Sequence, residues 1–325
     1  MSAQGPAQIL APMSRIDRVA GRGIRDRDRK RRDDTRGRPS RAEVEAYELL
    51  IERLTTIHQV AFDRIDWAKL EAEGPVVPTV ARDAISAAAR HKLANYRPSL
   101  FDNLLGLERE KRRELTNRMV EAAKADAELY GRAKAQADAH NRTLALAADV
   151  RALKVEAIAG VLKANRGAAT LKDVIEGFRL HVEGPNRLIG EIDLFEYDAL
   201  PDEACTPAAY KPLTDAERCR LQLANACAVA LRAAVEVLRT APVDAVEIVA
   251  RRCRPGGFAE TDLEPVLHVK VTAAALASLQ LQKADAVTTI ADMRAQIDWT
   301  PARGLVPIRI DDPAIVRLTT PRVAA

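Results

Sequence analysis

Aromatic side chains are scarce: Phe, Tyr and Trp together make up 4% of the 325 residues. A core with so few of them rests on Ala, Leu and Val, the material of helices packed through small side chains. Long apolar runs are missing too. No stretch approaches the roughly 18 uninterrupted apolar residues of a membrane span, so no transmembrane segment is expected. The first 20 residues lack the charged, apolar, then small order of a secretory signal. The expected address is the cytoplasm.

Four cysteines, at 205, 219, 227 and 253, form no C-x-x-C pair. Cys219 and Cys227 fall in one predicted helix, about 12 Å apart along its axis and too far to bridge. All four read as small buried hydrophobes in a reducing compartment. The five histidines, at 58, 91, 140, 181 and 268, include no His-x-x-x-His or Glu-x-x-His pair, and a metal centre needs three or four converging ligands. Glycine motifs that cradle phosphate or carry a nucleophile elbow are absent, and Gly256-Gly257 reads as a turn. The side chains able to do chemistry therefore read as scattered. No catalytic residue, metal ligand or cofactor is assigned. One stretch departs from this. His268-Val269-Lys270 on a predicted strand, with Asp262 and Glu264 upstream, resembles the acidic-x-Lys strand of metal-dependent nucleases, in which carboxylates hold Mg²⁺ and Lys stabilises developing charge. The residue two before the Lys is His rather than Glu.

What is present is uneven charge. Eleven Lys/Arg stand against five Asp between Arg15 and Arg38, whereas the whole chain carries +4. The basicity belongs to this stretch. Residues 1–40 are rich in Gly, Pro, Arg and Asp and read as a disordered tail, because they bury too little surface to offset ordering entropy. Arg25, Arg27, Arg29, Lys30, Arg31 and Arg32 are its candidate polyanion contacts, acting by counterion release on RNA, DNA or an anionic membrane face. Interleaved Asp weakens that field, and no aromatic is placed for base stacking.

Helical signals follow. Ser40 with Glu43 forms a capping box, and Val44, Tyr47, Leu50, Ile51, Leu54 and Ile57 keep helical spacing. A second helix is expected over 79–95, stopped before Pro98. From Leu107 to Asn165 there is no proline. The apolar spacing there runs in two registers, separated by polar residues 134–142, which allows one long helix or a hairpin. Such a seam needs a partner surface, from the same chain or another copy. Thr170–Asp173 is expected to cap a short helix.

From Phe178 the period becomes strand-like. Strands are expected over 178–182 and 188–198, split by the turn Glu183-Gly-Pro-Asn186. Thr214 with Glu217 caps a helix whose stripe is Leu223, Cys227, Ala230, Leu231, Ala234 and Leu238. Strands over 243–253 and 265–271, short helices over 273–281 and 286–293, and a last strand over 305–310 complete an antiparallel sheet with a packed helix.

Leu54-Thr55-x-Ile57-His58, then Ile65-Asp66-Trp67, long helices and a C-terminal α+β unit with Pro307 near its end resemble the layout of a group of bacterial proteins with no assigned activity. The likeness covers residues 45–310. It implies no activity, carries over no functional residue and leaves out the arginine-rich tail.

The expected fold is α+β and predominantly α. It comprises a tail (1–40), a helical region (41–106), a long helix or hairpin (107–165), a small antiparallel-sheet domain (166–312) and a C-terminal tail (313–325). The expected function is a non-enzymatic interaction or scaffold protein that associates with itself or a protein partner through its long helices, with weak polyanion binding by the tail. The alternative is a nucleic-acid-binding protein or a nuclease-like enzyme.

Overall fold

The computed structural model describes residues 5–11, 15–34, 38–99, 107–184, 186–254 and 262–319. The chain divides into two compact units, one formed by Met1–Ile65 with Asp149–Ala325 and the other by Asp66–Ala148.

The first unit is built on a seven-stranded mixed sheet. Its strands are β1 (Ala7–Leu10), β2 (Ile175–Glu183), β3 (Arg187–Leu194), β6 (Ala245–Cys253), β7 (Leu263–Thr272), β8 (Gln296–Thr300) and β9 (Gly304–Val306), in that spatial order. A separate hairpin pairs β4 (Glu203–Cys205) with β5 (Tyr210–Pro212). The expected all-antiparallel sheet is corrected at its centre, where β3 and β6 run parallel. The long helix between them, α8 (Asp215–Thr240), returns the chain to the same end of the sheet, as a parallel crossover requires.

The capping boxes form as expected. Ser40 Oγ accepts from Glu43 N–H at the start of α2 (Arg41–Thr56), and Thr214 Oγ1 does the same from Glu217 N–H for α8. Three other readings change. The stretch read as a disordered tail contains β1 and a helix, α1 (Arg15–Asp34). β1 extends the sheet beside β2, and pairing of that kind leaves no composition signal. Thr170–Asp173 does not cap a helix: the short helix there is α7 (Arg166–Leu171), which starts earlier and is capped by Asn165 through Gly167 N–H. The last strand expected over 305–310 is the hairpin of β8 and β9.

The two faces of the sheet differ. On one, Phe178, Leu180, Leu188, Ile192, Val246, Ile248, Leu267 and Val269 are fully or almost fully buried. Above this face, α8 is in contact with β6, α2, α10 (Ala286–Asp292), α6 (Val155–Ala164) and α7. Enclosure on every side explains why α8 is buried all round rather than along one stripe. It is the one helix among the described residues long and apolar enough to cross a membrane, yet 83% of its apolar window lies inside the protein. The opposite face carries Ile189 and Val249, covered by Ile310 and by Ala314 and Ile315 of α11 (Pro313–Thr319). Beside them lie charged residues.

In the second unit, the expected 79–95 helix is limited to α4 (Ser86–Ala94). Its start is set by Asp126 of the long helix α5 (Glu108–Arg151), whose carboxylate accepts from Ile85 and Ser86 N–H at 2.9 and 2.7 Å. α5 is a single helix of 44 residues, so the hairpin alternative is not adopted. Trp67 opens α3 (Trp67–Glu73) as a buried side chain, with Asp66 as its cap. Asn141 holds both the N–H and the carbonyl of Val76, and His140 bonds the Gly74 carbonyl. These polar bonds tie α5 to the segments before it in the second unit, while Leu129 of its apolar seam stays exposed.

The helix ends without Gly or Pro. Leu153 takes a positive φ of 52°. Its N–H donates to Val150, and Lys154 N–H donates to Asp149, both at 2.9 Å. This is the bond pattern of a Schellman stop, and burial of the Leu153 side chain offsets the strain of that backbone. The second apolar register, from Leu146 through Val150, Leu153 and Ala157 to Val161, therefore spans two helices, the end of α5 and α6.

Candidate functional site

Parallel β3 and β6 deliver their carboxyl ends to one edge of the sheet, next to the start of the crossover helix α8. In α/β sheets, the space beyond such strand ends is where ligands settle. Here it is a cavity of about 360 Å³, within the usual range of roughly 300–1,000 Å³ for small-molecule sites.

Four arginines line it: Arg22 from α1, Arg252 and Arg254 at the end of β6, and Arg303 between β8 and β9. Glu196, just past β3, and Asp215, in the first turn of α8, oppose them. Tyr197, Cys219 and Cys253 complete the polar lining. Arginines thus outnumber carboxylates two to one, and the amino end of α8 adds its dipole in the same sense.

The arginines are not equivalent. Arg22 clasps Glu196 with two bonds of 2.8 and 3.0 Å. Arg254 takes Glu264 at 3.0 Å, and Arg303 lies 3.6 Å from Asp298 with both side chains more than half exposed. Arg252 is left over. Glu264 is its register partner across the sheet, but that carboxylate is bound by Arg254. Arg252 Nε is buried with no hydrogen-bond partner among the described residues. Burial pulls this guanidinium below its usual range, and Glu264 and Cys219 act against that pull only through space. A buried cationic donor without an acceptor costs about 1–3 kcal/mol or more. An anion held in the cavity would relieve that cost.

Tyr197 is fixed at the rim. Arg218 stacks on its ring at 4.2 Å and donates to its carbonyl at 3.2 Å. Burial pushes its phenol up, Arg218 pulls it down, and Cys219 raises it again.

Comparison with protein-family models, curated proteins and solved structures gave no match. The site must be read from its own chemistry.

The expectation of scattered polar groups fails here and again on the second face of the sheet. There His181 Nε2 lies 2.8 Å from Glu191, Arg251 lies 3.0 Å from Glu191 and 2.5 Å from Asp193, and Arg179 lies 3.2 Å from Glu191. Further along, Arg187 is bidentate on Glu247 at 2.8 Å and reaches Asp312 at 2.8 Å. His268 Nε2 approaches Glu247 at 3.3 Å.

The nuclease-like group does not assemble. His268 faces Glu247 and Gln296, Lys270 is exposed, and Glu264 pairs with Arg254. Glu264 and Lys270 are six residues apart on one strand, about 20 Å at its rise. Among the described residues no group of three or more His, Cys, Asp or Glu is arranged to hold a metal ion. The four cysteines are buried, and none forms a disulfide.

Of the candidate polyanion contacts, Arg25 is turned inward onto Glu196 at 3.2 Å. Arg27 is exposed, its Nε donating to the Gly23 carbonyl. Arg29, Lys30, Arg31 and Arg32 belong to α1, but their side chains lie outside the described residues. The cavity arginines were missed. The available signal was Arg251-Arg252-Cys253-Arg254, a cationic run ending a strand, which was read only as a strand entering a loop.

Proposed function

We propose that this chain binds a small phosphate-bearing molecule in the arginine-lined cavity at the carboxyl ends of β3 and β6. Arg252 carries the reading: it is a half-buried guanidinium whose natural cross-strand partner is engaged elsewhere. A phosphate group offers several acceptors at once and matches the planar donor fork of arginine. Arg303, loosely paired and exposed, supplies a second donor that gives up little on engaging the ligand. Arg22 and Arg254, already bound to carboxylates, set the positive potential of the walls.

The test is a thermal melt in inorganic phosphate at matched ionic strength, comparing the parent protein with Arg252→Gln. A ligand of the native state raises the melting temperature with concentration, so the parent midpoint should climb further than the variant's. Phosphate also stabilises proteins by exclusion from their surfaces, but that effect would be the same in both. Equal responses would overturn the reading. Removing the orphaned donor should also leave the ligand-free variant at least as stable as the parent.

A second reading retains association with a protein partner. It is favoured by apolar side chains left exposed in the second unit, among them Val77 at 78%, Ile85, Val120 and Leu129. Light scattering across a concentration series tests it, and a monomer at every concentration would count against self-association.

A further inference from the structure

A second hollow, of about 420 Å³, is formed where α1 and α2 meet the segment from Ala199 to Tyr210, and it shares no lining residue with the arginine cavity. Its walls are of two kinds. Ala46 and Leu50 of α2, with Leu200 and Pro201, make an apolar side, flanked by the rings of Tyr47 and Tyr210. The charged part holds two groups with unused capacity. Arg25 gives one amino group to Glu196, but its Nε is buried without an acceptor among the described residues. Glu203 is half-buried at the start of β4, paired with β5 through its backbone, and its carboxylate has no hydrogen-bond or ion-pair partner among those residues. The remaining charges on the wall are the carboxylates of Glu43 and Asp202, and both are engaged: Glu43 closes the α2 capping box and accepts from the Tyr210 hydroxyl at 2.8 Å, and Asp202 has an interaction of its own.

We propose that this second hollow binds a small amino-carboxylate zwitterion with an apolar or aromatic body. Its carboxylate engages Arg25, its ammonium engages Glu203, and its body rests on Leu50, Leu200 and the two tyrosines. Sites of this kind are mostly apolar, with a few placed polar groups that fix orientation, and here those groups are of opposite sign. A purely anionic ligand would leave Glu203 repelling it, and a purely cationic one would leave Arg25 in the same position. This inference does not rest on the phosphate reading.

The experiment titrates the full chain with L-phenylalanine, phenethylamine and 3-phenylpropionate, followed by calorimetry or ligand-observed NMR. Phenylalanine should bind about tenfold more tightly than either single-charge analogue, a difference of about 1.4 kcal/mol. Glu203→Gln should remove its advantage over phenylpropionate, and Arg25→Gln its advantage over phenethylamine. Because Arg25 also holds α1, Glu203→Gln serves as the variant that leaves the packing intact, and a melt of each checks folding. Equal affinity for all three probes, no binding at millimolar concentration, or a phenylalanine affinity unmoved by Glu203→Gln would overturn the proposal. A phosphate response that persists in the melt would confine that failure to this hollow.

Discussion

Arg18 of α1 and Glu176 of β2 lie 158 residues apart in sequence and form an ion pair of 2.9 Å, with side chains 1% and 3% exposed. One and two turns on, Arg22 and Arg25 both hold Glu196, whose backbone N–H donates back to Glu176 at 3.4 Å. The basic face of α1 is thus a docking face. Burial pushes the Glu176 carboxyl up, and Arg18 opposes that shift.

Removing one partner of a buried pair strands the other, which costs about 3–5 kcal/mol, whereas replacing both with apolar groups is often neutral. Arg18→Met should therefore lower the urea midpoint sharply, and the double substitution Arg18→Met with Glu176→Leu should recover most of the loss. If the two single losses simply add, the pair is not coupled and the docking account fails.

Local chemistry is what sequence reading recovered. Ser40 with Glu43, Thr214 with Glu217 and the turn after Glu183 each specify a boundary from within a few residues, and each forms. Readings failed where a distant group decides. Asp126 sets where α4 starts from 41 residues away in sequence, and β2 pairs with a four-residue strand at the other end of the chain. The arginine cavity draws on positions 22, 252, 254 and 303, which only the parallel β3–β6 pairing and the docking of α1 bring together. Composition marked α1 as unable to bury apolar surface. It gave no sign that buried carboxylates would receive its arginines.

Acid sensitivity should trace to Glu247. Burial pushes its carboxyl up, but hydrogen bonds from His268 and Arg187 outweigh this and hold it at about 2, against an ordinary 4.5. A depressed carboxyl contributes stability that is fully present above its unfolded value and is lost as pH falls toward its folded one. Glu176 runs the other way: raised in the fold, it favours the native state on acidification and loses that contribution as pH rises through its folded value. Denaturant midpoints between about pH 6 and about pH 3 should fall less for Glu247→Gln than for the parent. Parallel curves would show that the Arg187–Glu247–His268 group is not the acid-sensitive element.

Gly190 of β3 offers the sharpest packing test. It sits between Leu188 and Ile192 on the apolar face, opposite Leu180 of β2 and Ile248 of β6. A methyl group there would lie 2.9 Å from Ile248 Cδ1 and 3.2 Å from Phe178 Cε2. Phe178 and Ile248 are both fully buried, so neither can swing toward solvent to make room, and overpacking of this kind costs about 1–3 kcal/mol. Gly190→Ala should lower the unfolding free energy by that amount, and Phe178→Leu in the same chain should return part of it by clearing the ring. The backbone at Gly190 is ordinary strand, so its conformational freedom is not what the position needs. Gly184→Ala is the matching control: its φ is +70° with open space around it, so the penalty there would be backbone strain, which Phe178→Leu would not relieve. Rescue at 190 but not at 184 identifies the close approach of β2, β3 and β6 as the reason for the glycine, and rescue at neither would refute it.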